Sequence, residues 1–175
     1  MWGERKIIME EKNTYQFHGK IEIKLSGKAN YVNMWRSKRQ LYEGIIEGRP
    51  IPELETILWD AVVAYQNQPL RTLSGLEFSY TVKHKKNGEY SGELLVSRKE
   101  TSKTLTRSSV MLAFHKVLEQ IEVTEKDGTV LFTPPSYKGP KAIGPIFGIS
   151  YIFSLFLALG LIKTADRNIR KDNQI

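Results

Sequence analysis

The chain has 175 residues, 41% of them hydrophobic and 26% charged, a globular rather than a disordered balance. Its formal net charge of +7 favours a polyanionic partner, because Lys and Arg that neutralise phosphates release condensed counterions, although a charge of this size also serves solubility. It has no cysteine, which excludes disulfides, thiolate metal sites and thiol catalysis and suits a reducing cytoplasm.

Residues 1–13 scatter charges through a stretch with no apolar run, so no signal peptide is expected there, and residues 1–14 are read as a peripheral tail. Residues 16–25 end in the alternation Lys20-Ile21-Glu22-Ile23-Lys24-Leu25, a strand with one wet face, and Ser26-Gly27 stops it. Residues 30–48 read as a helix with Trp35, Leu41, Tyr42, Ile45 and Ile46 on its apolar side. Arg36, Lys38 and Arg39 cluster there beside Trp35 and Tyr31. A ring among cations can stack a base while the cations hold phosphate. The alternative is a core ring beside a solvated charged face. Pro50 and Pro52 break this helix and open a second over residues 53–66. Its acidic start, Glu53 and Glu55, suits the helix dipole. Leu54, Ile57, Leu58, Ala61, Val62 and Tyr65 follow the spacing of one buried face.

Residues 76–84 alternate as a strand, with Leu76, Phe78, Tyr80 and Val82 on one face. Asn87-Gly88 turns it into a return strand over residues 93–98. The tip carries Lys83, His84, Lys85 and Lys86, which can lie along a phosphate backbone or simply guard an exposed edge. Residues 98–107 read as a link to a helix over residues 110–120, capped by Thr106 or Ser108. Lys103, Arg107 and Ser108 would then surround a helix start, where free N–H groups and cations make an anion site. Residues 121–132 form a second hairpin around Asp127-Gly128. Its acidic Glu122, Glu125 and Asp127 argue against a wing lying on DNA. Residues 133–138 are a rigid connector, and residues 164–175 a fraying tail.

Residues 142–162 carry no charge, and Lys141, Lys163, Arg167, Arg170 and Lys171 flank them. As a membrane helix they would reach the roughly 20 residues needed to span a bilayer, but Gly144, Pro145, Gly148 and Gly160 interrupt them. As a helix-turn-helix they would place Ile143-Gly144 in the first helix and Gly148-Ile149-Ser150 at the turn. The second helix would then hold no Arg, Lys, Asn or Gln to read base edges. The third reading, a buried helix at the centre of the fold, is the one taken, because a helix apolar all round belongs in a core or in lipid.

His18, His84 and His115 stand far apart, and no nucleotide-binding or hydrolase motif occurs, so no catalytic residue, metal ligand or cofactor is expected. The segments SRKETSKTLTRSSVMLAFHKVLE (residues 97–119) and GPKAIGPIFGISYIFSLFLALGLI (residues 139–162) resemble small proteins of Firmicutes, their phages and mobile elements. That resemblance implies a bacterial or phage cytoplasmic protein and brings no activity or site residue with it.

The expectation is a single α+β domain over residues 1–175, with short antiparallel hairpins and three to five helices around the apolar C-terminal segment. Its expected role is non-enzymatic: nucleic-acid binding, DNA or RNA, through Lys103, Arg107, Ser108, Lys83, Lys85, Lys86, Arg36, Lys38 and Arg39. A different class of function is a phage or mobile-element inhibitor or adaptor acting on a host nucleoprotein such as a CRISPR effector, with Trp2, Trp35 and Tyr90 as contact residues. A C-terminally anchored membrane protein is the third.

Overall fold

The structure, a computed structural model, describes residues 28–165. The strand expected over residues 16–25, Trp2, His18 and residues 166–175 lie outside the described residues. In chain order the elements are α1 (Lys28–Ile46), α2 (Ile51–Ala64), β1 (Leu70–Arg71), β2 (Glu77–His84), β3 (Tyr90–Ser97), β4 (Ser102–Thr106), α3 (Arg107–Leu118), β5 (Glu122–Lys126), β6 (Thr129–Thr133), β7 (Ser136–Tyr137), a 3₁₀ turn (Pro140–Ala142), α4 (Ile149–Leu159) and β8 (Lys163–Thr164). The class is α+β, as the alternation and helical spacing imply. Over the described residues the chain forms two compact units, residues 28–66 with 121–133, and residues 67–120 with 134–165.

In the first unit α1 packs against α2 through Leu41, Tyr42 and Ile45 on one helix and Leu54, Leu58, Ala61 and Val62 on the other, all buried. Trp59 is buried too, although the spacing left it off the inner face. Trp35 is the opposite case: expected on the apolar side, it is 61% exposed. It lies six residues before buried Leu41, toward the N-terminal end of α1, where Tyr31 and Val32 are exposed too. Phe132 of β6 packs against Tyr42 with ring centroids 4.9 Å apart and the ring planes tilted by 51°, and so joins the hairpin to α1. The β5–β6 turn takes Asp127 and Gly128 to φ 53° and 74°. Two consecutive positive φ values make the two-residue turn that Asp-Gly favours.

The second unit is built on an antiparallel sheet in the order β1-β2-β3-β4. Phe78, Tyr80 and Val82 of β2, Leu94 and Val96 of β3, and Leu105 of β4 are buried on one face. Leu76, assigned to that face by alternation, precedes the strand and is exposed. The β2–β3 hairpin turns at Asn87-Gly88 as expected, through a loop closed by Lys85 N–H donating to Glu89 O at 2.8 Å. β4 replaces the expected link over residues 98–107. It has a single buried side chain, Leu105, so its pairing with β3 rests on backbone hydrogen bonds that hydropathy does not register.

α4 covers the inner face. Ile152, Phe153, Leu155, Phe156 and Leu159 are all buried. Between α4 and the sheet, the cavity lined by Phe78, Tyr80, Leu94, Val96, Leu105, Tyr151, Ile152 and Leu155 is only about 10 Å³, no more than one water probe. α3 lies beside α4, with Phe114 edge-on to Phe156 at 6.5 Å. The hydroxyl of buried Ser154 donates to Ser150 O at 3.0 Å, so this polar group is satisfied within the helix. β7 and β8 pair in parallel, tying the segments before and after α4 together.

This arrangement is the buried-helix reading of residues 142–162. The helix-turn-helix reading fails on geometry: a three-residue 3₁₀ turn stands where the first helix would be. Gly144 at φ 153° followed by Pro145 interrupts the chain between that turn and α4. α4 has 11 residues, about 17 Å at ~1.5 Å per residue, against a hydrocarbon core of about 30 Å. Among the described residues no helix is long and apolar enough to cross a membrane.

Gly148 fixes where α4 begins. Its φ of 71° is left-handed, and a Cβ there would fall inside the radius of Leu105 Cδ2. Gly128 has a similar φ but open space around its Cβ position. Gly128→Ala is therefore expected to cost about 1 kcal/mol of backbone strain. Gly148→Ala is expected to cost more, about 2–3 kcal/mol, because Leu105 must also move. Urea denaturation of both variants measures the difference, and equal losses would show that Leu105 yields freely.

Candidate anion-binding cleft

The alternation that buries one face of the sheet continues past its apolar part. On β3 the inner positions run Leu94, Val96 and then, just beyond the strand, Arg98. On β4 the residue opposite Val96 is Lys103, two before buried Leu105. Both cations thus extend the inner face at the end where α4 begins. There Arg98, Thr101, Ser102, Lys103, Val96 and Tyr151 line a cleft of about 240 Å³. No carboxylate lines it.

The cleft is held in place from below. Tyr151, in the first turn of α4, packs edge-on against buried Phe78 with centroids 4.9 Å apart. Its hydroxyl accepts from Arg98 Nη1 at 3.2 Å. Arg98 Nε donates to Thr101 Oγ1 at 3.2 Å, and Arg98 N–H donates to Thr101 O at 2.9 Å across the β3–β4 turn. These bonds orient the guanidinium and leave its Nη2 amino group with no partner among the described residues. The Tyr151 hydroxyl, accepting from Arg98, keeps its own proton as a donor. Lys103 Nζ has no carboxylate partner among the described residues and lies 5.2 Å from the ring centroid of Phe147. Two cations with no carboxylate partner among the described residues, and hydroxyl donors beside them on one recess, are groups with which an anion of phosphate size could form charge-assisted hydrogen bonds.

The start of α3 is organised differently from the sequence expectation. Thr106 is the cap, its Oγ1 accepting from Ser109 N–H at 3.3 Å. Arg107 and Ser108 open the helix, but Lys103 does not join them. It lies four residues earlier on an extended strand, about 13 Å away at ~3.3 Å per residue. Lys103 therefore belongs to the cleft and not to the helix terminus.

The hairpin tip is largely self-neutralised. Lys83 Nζ is 3.0 Å from Glu93, and Lys85 Nζ is 3.5 Å from Glu89. The Asn87 amide and then Lys85 hold the Glu89 carboxyl below its usual range. Lys86 is exposed, and His84 stacks on Tyr90 with centroids 4.5 Å apart. In the first unit Arg39 bonds Glu43 at 2.6 Å and lies 5.6 Å from the Trp35 ring centroid. Lys38 lies 5.8 Å from the Tyr42 ring, and Arg36 is exposed. Among the described residues no group of three or more His, Asp or Glu side chains gathers as a metal site.

Arg98, Thr101, Ser102, Phe147 and Tyr151 were not marked as site residues by the sequence. Arg98 could have been found from it, since Leu94-x-Val96-x-Arg98 keeps period 2 into a charge. Tyr151 and Phe147 could not, because only the docking of α4 brings them there. No protein-family model, curated protein or solved structure matches the chain.

Arg98→Ala and Lys103→Ala remove exposed polar contacts and no buried packing. Each is expected to change stability by no more than about 1 kcal/mol, as read by thermal or urea unfolding. A loss of several kcal/mol at either position would make it a structural residue.

Proposed function

We propose that the chain is a non-enzymatic nucleic-acid-binding or regulatory protein that contacts the phosphate backbone through the basic face of its second unit. The observation that carries this reading is the convergence of Arg98 and Lys103, neither neutralised by a carboxylate among the described residues, on one hydroxyl-lined cleft. Other cations of this unit, Arg71, Lys83 and Lys85, are engaged by Glu77, Glu93 and Glu89. Arg107 at the start of α3 and Lys86 at the hairpin tip extend the contact. Phosphate contacts position a protein without reading sequence, so sequence preference is weak. A cytoplasmic setting, where nucleic acid is at hand, goes with this reading.

Titration of labelled single strand and duplex across a salt series tests it. Affinity should fall steeply with salt, and Arg98→Ala with Lys103→Ala should lower the slope by about 1 for each cation removed. An affinity and slope unchanged in the double variant would overturn the proposal.

A second reading, an inhibitor or adaptor acting on a protein or nucleoprotein, draws on α1 of the first unit. Tyr31 and Trp35, one turn apart, are 66% and 61% exposed, with Arg39 following on the same side. An exposed Trp beside an Arg has the composition of an interface anchor. On this reading Trp35→Ala weakens a stoichiometric complex with the partner by at least about tenfold, while Arg98→Ala with Lys103→Ala leaves it intact. Size-exclusion chromatography of the mixed proteins decides between them.

A further inference from the structure

Phe147 is a large ring left 60% exposed, and the chain around it is firmly held. Ile143 and Ile146 before it are buried. Ile146 N–H donates to Gly144 O at 2.9 Å, and Ile149 N–H donates to Ile146 O at 3.1 Å. Gly148 behind it sits against Leu105 in the left-handed conformation. The ring is thus presented at the surface by a loop pinned on both sides. The group that lies near its face is Lys103 Nζ, a cleft residue.

We propose that the cleft and this ring together take one nucleotide unit of a single-stranded nucleic acid, its phosphate on Arg98 and Lys103 and its base stacked on Phe147. The inference rests on the phosphate-contact reading above and names its substrate class. A phosphate entering the cleft meets the free Nη2 group of Arg98 and the Tyr151 hydroxyl. It also draws the Lys103 ammonium away from the ring, exchanging a cation–π contact for a charge-assisted hydrogen bond. The ring face that the ammonium leaves is then open to the base attached to that phosphate. Stacking of this kind tolerates any base, because every base has a π face. A duplex keeps its base faces inside the stack and can use only the cations, so the ring separates single strand from duplex.

The test uses the full chain and three labelled probes of equal length: oligothymidylate, the same backbone with abasic residues, and a duplex. Phe147→Ala is expected to weaken oligothymidylate binding at least about fivefold and to leave the abasic strand and the duplex unchanged. Phe147→Trp is expected to retain the wild-type affinity. Thermal unfolding confirms that both variants fold, as expected for an exposed side chain. Phe147→Ala that weakens none of the probes, or all three alike, overturns the stacking proposal. If Arg98→Ala with Lys103→Ala still weakens all three, the phosphate-contact reading survives that failure. No binding of any probe by the wild-type protein at low salt overturns both.

Discussion

The second unit depends on one act of burial, that of α4 against the inner face of the sheet. Five apolar side chains of the 11-residue helix are buried as it docks, each contributing about 1.5–3 kcal/mol. Their sum is of the order of a whole domain's net stability. The helix can be this apolar because the sheet takes one side of it and α3 lies against another. Both ends are set by left-handed glycines, Gly148 and Gly160, since no side chain caps its start and no charged residue lies within it. The same glycines that break up the 21-residue uncharged run in the sequence make a short helix with tight entry and exit.

The cleft is a consequence of that burial. Sheet and helix meet along apolar positions until the alternation reaches Arg98 and Lys103, where the sheet still faces inward but its side chains are charged. A cation in a dry interface without a counter-ion would be costly, and the layers part there into the cleft. Tyr151 stands at the boundary, its ring against Phe78 and its hydroxyl toward Arg98. It belongs to the core at one end and to the cleft at the other, as amphipathic rings do.

Net charge alone says little about where an anion would bind. Much of the positive charge expected to form a basic surface is answered locally: Lys83 by Glu93, Lys85 by Glu89, Arg39 by Glu43. Exposed pairs like these add little stability, but they cancel the field a phosphate would feel. Arg98 and Lys103 differ in that their partners among the described residues are neutral, a tyrosine hydroxyl, a threonine hydroxyl and a phenylalanine ring. Those partners orient the cations without neutralising them.

From the sequence alone the spacing of α2, the alternation of β2 and the Asp-Gly turn of the second hairpin were legible, because each is dictated by contacts within a few residues. So was the burial of the apolar C-terminal segment. β4 was not, since one buried Leu105 among polar neighbours carries no hydropathy signal and its pairing energy lies in the backbone of β3. The exposure of Trp35 was hidden for a related reason: a helix shows which residues share a face, not how much of that face is covered. The sequence by itself determined the α+β class, the turns and the apolar helix. Tertiary structure decided that Lys103 lines one cleft with Arg98 and Tyr151 instead of joining Arg107 at the helix start, because extended β4 carries Lys103 away from that start while sheet pairing and the docking of α4 bring distant residues to one recess.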